Sequence, residues 1–101
     1  MAILKVEEFQ GASGRWYVSD VHTWTGWQKC AELLGAPTLE GFLAILETKY
    51  DATIESVVKY EQQSPLIIFS WDRDQYKKAH QFKLDVNRIA RQKKFEVERA
   101  F

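Results

Sequence analysis

The stretch Ser64–Phe95, SPLIIFSWDRDQYKKAHQFKLDVNRIARQKKF, sets the most apolar run of the chain directly against its longest helical pattern. Behind Pro65, the residues Leu66, Ile67, Ile68, Phe69, Ser70 and Trp71 are apolar at nearly every position, which predicts a strand covered on both faces. Asp72 follows at once and, with Gln75 three residues later, has the make-up of a helix N-cap closed by a capping box. Trp71 before that cap and Tyr76 four residues after it have the spacing of a hydrophobic staple, which would fix the angle between strand and helix. From Arg73 to about Lys94, the residues Ala79, Phe82, Val86, Ile89 and Ala90 recur at three- and four-residue steps. That is the buried stripe of a helix of about six turns. Beyond it, Phe95, Val97 and Phe101 predict a short edge strand or a tail packed onto the body.

Upstream, Asp51–Tyr60 is rich in β-branched residues (Thr53, Ile54, Val57, Val58), although Ile54, Val57 and Val58 also fit a helical face. The β-branched content favours a strand, hairpinned through Glu61–Pro65 onto the Leu66–Trp71 strand, since Gln62, Gln63, Ser64 and Pro65 suit a turn. Before it, Leu39, Phe42, Leu43, Leu46 and Tyr50 form an apolar stripe widened by Ile45, which predicts a well-buried helix opening at Pro37 and Thr38. Trp27, Cys30, Ala31 and Leu34 predict a shorter helix, capped by Thr25 with Gln28 and ended at Gly35. Residues 20–24 read as a connection. The first twenty residues predict a β-hairpin, with one strand over 2–9 (Ile3, Leu4, Val6, Phe9), a turn at Gly11, Ser13 and Gly14, and a second strand over Arg15–Val18. The order is therefore ββααββα. It predicts a single α+β domain over 1–101: a mostly antiparallel sheet of about four strands, a helix pair and a long C-terminal helix.

Composition limits the functional classes. With 46% hydrophobic and 28% charged residues the chain belongs with globular domains, far from disordered ones. Cys30 is the only cysteine, which excludes an intrachain disulfide and a cysteine-based zinc site. The opening Met-Ala-Ile-Leu-Lys-Val-Glu-Glu lacks the order of a signal peptide, and no apolar run approaches the ~18 residues of a membrane span. A cytoplasmic protein with no membrane partner is expected. Net charge is zero, but residues 1–70 carry five Lys/Arg against nine Asp/Glu, a balance of −4, and residues 71–101 carry nine against five, a balance of +4. Either this split marks an interaction surface, or an acidic body docks onto a basic helix of its own chain.

The candidate surface is the far side of the last helix. At 100° per residue Arg73, Lys77, Arg88 and Arg91 fall within about 60° of one another, opposite the buried stripe. They would span about 27 Å of helix axis. Such a row can track a phosphate backbone, but a long surface helix also needs a charged outer face, and cations near its C-terminus suit the helix dipole. Leu84 sits amid the row, with Tyr76, His80 and Asn87 on the adjoining flank, and together they outline a contact seam for another helix or subunit. Trp16, Tyr17, Trp24 and Trp27 cluster around Arg15 and His22, an arrangement that either stacks a planar partner or fills the core.

The segment Ala31–Thr38, AELLGAPT, resembles the first half of a helix-turn-helix DNA-binding motif. It then departs from that pattern. Gly41 stands where a buried branched residue is wanted, and Phe42, Leu43, Ile45 and Leu46 with Glu40 and Glu47 are unsuited to reading base edges. The pair reads as a core helical corner. Catalytic patterns are weak. Cys30 lies on an apolar stripe, His22 and His80 have no ligand spacing, Gly11 and Gly14 form no phosphate loop, and Asp72 and Asp74 are explained by the helix start. The expectation is a non-catalytic binding module without cofactor or metal. It would engage a protein partner, or itself as a homo-oligomer, through Arg73, Lys77, Leu84, Arg88 and Arg91, with Trp16, Tyr17 and Trp24 as a second patch. The alternative is sequence-independent nucleic-acid binding along the same basic face.

Overall fold

The Leu66–Trp71 run is a strand, and it begins earlier than its apolar residues do. The computed structural model describes residues 6–19, 24–60 and 63–99. Its elements are β1 (Glu8–Gln10), β2 (Trp16–Val18), α1 (Trp24–Leu33), α2 (Leu39–Thr48), β3 (Thr53–Tyr60) and β4 (Gln63–Ser70). A 3-10 turn (Arg73–Gln75) then leads into α3 (Tyr76–Arg99). The α+β order ββααββα is the predicted one. Gln63, Ser64 and Pro65, expected in the turn, belong to β4, and Tyr60 pairs with Gln63; Glu61 and Gln62 lie outside the described residues. So do Ile3, Leu4, the 20–23 connection with His22, and Phe101.

The four strands are all antiparallel, but they form two hairpins, β1–β2 and β3–β4, in place of one continuous sheet. Among the described residues one bridge joins them, where Trp16 and Trp71 exchange N–H···O bonds of 2.9 Å in each direction. Of the 2–9 span expected for the first strand, residues 2–5 lie outside the described residues, Val6 and Glu7 are not strand, and β1 runs on to Gln10. Its turn is closed by Gly11 N–H to Arg15 O at 2.8 Å and Gly14 N–H to Gly11 O at 3.0 Å. Gly14 there has φ +90°, a conformation open to glycine at little cost. The resulting register sets Phe9 opposite Tyr17.

Alternation along β4 explains the core. Ile67, Phe69 and Trp71 are fully buried, whereas Leu66 and Ile68 are half-covered, so the strand has one core face and not two. At its end the opposite face is closed by Arg15, whose Nε donates to the buried Ser70 Oγ at 2.7 Å. Phe69 stands edge-on to Phe42 at 6.1 Å, to Phe82 at 5.9 Å and to Trp71 at 5.6 Å, and Tyr50 stands edge-on to Phe82 at 5.2 Å. The aromatic residues from α2, β4 and α3 thus form one cluster, each ring burying ~150–250 Å². Cys30, Ala31, Leu46, Ala79 and Val86 complete it.

The helix ends follow local chemistry. Gly35, at φ +80°, ends α1 as expected, with Ala36 N–H bonded to Ala31 O at 2.8 Å and Gly35 N–H to Glu32 O at 3.1 Å, the two bonds of a Schellman cap. Thr38 caps α2, its Oγ1 accepting from Gly41 N–H at 3.1 Å. A Cβ on Gly41 would come within 2.9 Å of that oxygen, so the glycine that breaks the DNA-binding pattern serves the cap of a core corner. Thr25 is not a cap, because α1 already starts at Trp24. The Asp72–Gln75 capping box is present, with Asp72 N–H donating to Gln75 Oε1 at 3.1 Å. The ring that meets Tyr76, however, is Trp16 at 4.7 Å, while Trp71 turns into the core beside Phe82 at 5.6 Å. Trp16 can do this because the bridge holds β2 alongside Trp71. Past Lys94 the chain continues as helix to Arg99 and forms no edge strand. Lys93, Lys94, Glu96, Glu98 and Arg99 are good helix formers, and no Gly or Pro interrupts them.

Candidate functional site

The long helix α3 carries two different polar faces, and the local sequence decides which does what. Tyr76, His80, Lys83 and Asn87 recur at i, i+4, i+7 and i+11 and so form one flank, which lies against β1. Glu8 is its hub. Glu8 Oε1 accepts from Tyr76 Oη at 3.0 Å and lies 3.2 Å from His80 Nδ1, and Glu8 Oε2 pairs with Lys83 Nζ at 2.9 Å. Lys83 also reaches Glu7 at 3.6 Å. Partial burial works to raise the Glu8 carboxyl, but the bonds from Lys83, from its own backbone N–H, from Tyr76 and from His80 outweigh it and hold the group down to about 2. The same contact with Glu8 raises the Tyr76 hydroxyl and the Lys83 ammonium. One turn further on, Val6 N–H donates to Asn87 Oδ1 at 2.9 Å and Asn87 Nδ2 donates to Val6 O at 3.0 Å. Tyr76, His80 and Asn87, expected in a contact seam, thus spend their polar atoms on Glu8 and Val6 of their own chain, while Tyr76 stays 39% exposed.

A second acid group lies in the core. Asp85 Oδ2 accepts from Tyr50 Oη at 2.7 Å, and Oδ1 accepts from Gln81 Nε2 at 2.7 Å and, more distantly, from Arg88 at 3.5 Å. Burial raises this carboxyl, and the Tyr50 and Gln81 bonds with the charges of Lys49 and Arg88 lower it further, for a net depression. Tyr50 is pushed well above the ordinary phenol range by burial first and by Asp85 second. The backbone carbonyl of Tyr50 accepts from Trp71 Nε1 at 2.7 Å, which ties the pair to β4. On the remaining side Lys78 pairs with Asp51 at 3.5 Å. Part of the −4/+4 charge split is thus an acidic body docked to its own basic helix.

The outer face is different. Lys77, Leu84, Arg88 and Arg91 share one side of α3, and all four are exposed, Leu84 at 45%. Among the described residues Arg88 is held by the long contact to Asp85 alone, its side chain 61% exposed. Lys77 and Arg91 have no acidic partner among the described residues. A shallow depression of about 390 Å³ beside Leu84 is lined by Asn87, Arg88, Arg91 and Gln92. Arg73 does not continue this row. It sits in the 3-10 turn, which advances about 120° per residue, and its aliphatic stem lies along the β1–β2 turn, 3.5 Å from where a Gly14 Cβ would be. The continuous row from Lys77 to Arg91 spans about 21 Å, not 27 Å. Across the molecule Glu40, Ala44 and Glu47 are exposed on one side of α2, and neither glutamate has a basic partner among the described residues.

The aromatic patch divides. Trp16 is half-buried against Tyr76 and donates from Nε1 to Arg73 O at 3.1 Å. Tyr17 faces the other way, stacked on Phe9 at 5.7 Å, with Phe9 48% exposed. Trp24 opens α1, and its side chain lies outside the described residues; Trp27 is core, stacked on Phe42 at 6.0 Å. Cys30 is fully buried and its thiol is pushed up to about 12 by that burial, so it is no accessible nucleophile. Among the described residues no three His, Cys, Asp or Glu side chains converge to hold a metal, and no helix is long and apolar enough to cross a membrane. No family model, curated protein or solved structure matches this chain. The surface itself is therefore the guide to function.

Proposed function

We propose that this chain is a cytoplasmic, non-catalytic binding module that docks an acidic protein surface through the outer face of α3. The observation that carries this reading is the division of cations on one helix. Lys78 and Lys83 are paired within the fold, whereas Lys77 and Arg91 have no acidic partner among the described residues and, with Arg88, surround an exposed leucine. An apolar centre rimmed by arginine is the composition of a protein contact, since Arg is enriched and Lys depleted at interface centres. The test is fluorescence anisotropy of a labelled amphipathic peptide with glutamates on its polar side, against the same peptide with glutamines. Binding is expected only to the acidic peptide. The variants Lys77→Glu/Arg88→Glu and Leu84→Asp should each weaken it about tenfold or more while circular dichroism stays unchanged. Equal binding to both peptides, or none at low salt, removes this reading.

A second reading, sequence-independent nucleic-acid binding, is favoured by one feature, the spread of three cations over about 21 Å of a single face. Labelled single- and double-stranded oligonucleotides titrated at two salt concentrations address it. Duplex affinity would then fall with salt with a log–log slope near −2.7 for the three α3 cations, or about −3.6 if Arg73 joins them. No binding at low salt leaves the row to proteins.

A further inference from the structure

We infer that the acidic partner is a second copy of this chain, whose α2 outer face seats on the α3 outer face, an inference that rests on the docking reading above. The two faces match in charge, spacing and shape. Glu40, Ala44 and Glu47 lie within about 60° of one another on α2, with the small Ala44 between the two carboxylates. Lys77, Leu84 and Arg88 lie within about 40° on α3, with the protruding Leu84 between the two cations. With Leu84 seated over Ala44, one glutamate comes opposite Arg88. That holds in either direction of packing, because Glu40 and Glu47 lie about 6 Å and 4.5 Å along the axis from Ala44 and Arg88 lies about 6 Å from Leu84. The other glutamate then comes within reach of the flexible Lys77 stem.

Within one molecule these rows do not pair. α2 packs on α1 and β3, α3 packs on β1, β2 and α1, and among the described residues the ion pairs of α3 run to Glu7, Glu8 and Asp51, apart from the long Arg88–Asp85 contact within the helix itself. What the fold leaves over on the acidic half is thus complementary to what it leaves over on the basic half. Because the two faces differ, the contact is head-to-tail and each added copy presents the same pair of faces again. Two solvated charge pairs around one leucine make a small interface, so the association is weak and sensitive to salt.

The experiment is light scattering and sedimentation from about 10 μM to about 1 mM protein, at low salt and at ~0.5 M salt. Average mass is expected to rise with concentration and to fall back at high salt. Glu40→Lys/Glu47→Lys and Lys77→Glu/Arg88→Glu should each weaken association at least tenfold. An equimolar mixture of the two, or all four changes in one chain, should restore it, because each then has an intact or swapped pair of faces. If a reversal perturbs folding, Glu40→Gln/Glu47→Gln gives the same reading, with a several-fold loss expected. Wild-type protein that stays monomeric throughout, or a four-fold swap that fails to restore association, overturns the inference. The acidic-peptide assay separates this from the docking reading. A monomeric protein that still binds the peptide keeps α3 as a docking face and loses the second copy, while loss of both removes both.

Discussion

Lys83 and Lys77 stand six residues apart on the same helix and live in different worlds. Lys83 closes a ring with Glu8, Tyr76 and His80, and its flank is zipped to the first strand down to Val6. Lys77 belongs to a row that the described parts of the fold do not use. A balance of +4 over the last thirty-one residues says nothing about this division, because a net charge adds spent and unspent charges alike. What separates them is angular position. The residues that face β1 hold the body together, and those turned about 180° from the buried stripe are left for something else.

The sharpest way to break this contrast is to truncate one apolar residue on each side of α3. Phe82→Ala, which leaves a cavity among Tyr50, Phe69 and Trp71, should cost about 3–5 kcal/mol in urea denaturation. Leu84→Ala, two residues away on the outer face, should cost under about 0.5 kcal/mol. Similar losses would mean that the outer face is part of the folding core. Next comes the buried acid. Asp85→Ala leaves the Tyr50 hydroxyl without its 2.7 Å acceptor and should cost about 1–3 kcal/mol. Adding Tyr50→Phe to that variant should then cost little more, and a fully additive double variant would show that the two do not act as a pair.

Among the residues bonded within the fold, the smallest effect is electrostatic and has a definite sign. Because the Glu8 carboxyl is held down to about 2 from an ordinary 4.5, it adds stability above pH 4.5 that is lost as pH falls toward 2. After allowance for solvent screening this amounts to about 1–2 kcal/mol. Glu8→Gln should therefore be less stable than wild type at neutral pH, and the two curves should converge between pH ~4.5 and ~2. Parallel curves across that window would show that the hub adds nothing to stability.

Much of the fold was legible because its signals are local. The β-branched density of Thr53–Val58, the three- and four-residue steps of the α3 stripe, Gly35 and Thr38 each act within a few residues of themselves. Where two local signals competed the outcome varied, and β-branched density rightly outweighed a helical face at Ile54, Val57 and Val58. At Phe95 and Val97 the alternation suggested an edge strand or a packed tail, but Lys93, Lys94, Glu96, Glu98 and Arg99, with no Gly or Pro among them, carry α3 to Arg99. The site was legible only on its outer side, where an absence of apolar neighbours can be read from a helical wheel. Glu8 was not, because its partners lie 68 to 75 positions away. One clue did exist. Val6 and Glu8 share a strand face by parity, so a buried valine carries a carboxylate inward, where it requires a donor. The Phe9–Tyr17 pair likewise waited on the hairpin register, which a five-residue turn leaves open.

The Asn87 amide gives the Val6 backbone both the acceptor and the donor that a neighbouring strand would provide. Those two bonds join positions 81 apart, which makes them among the most expensive loops in the molecule to close. β1 finds its hairpin partner in β2 within ten residues, but Val6 and Glu8 have no seat until the middle of α3 is present. The seat of the first hairpin on the helix is accordingly a contact of high sequence separation, one that local structure alone cannot make.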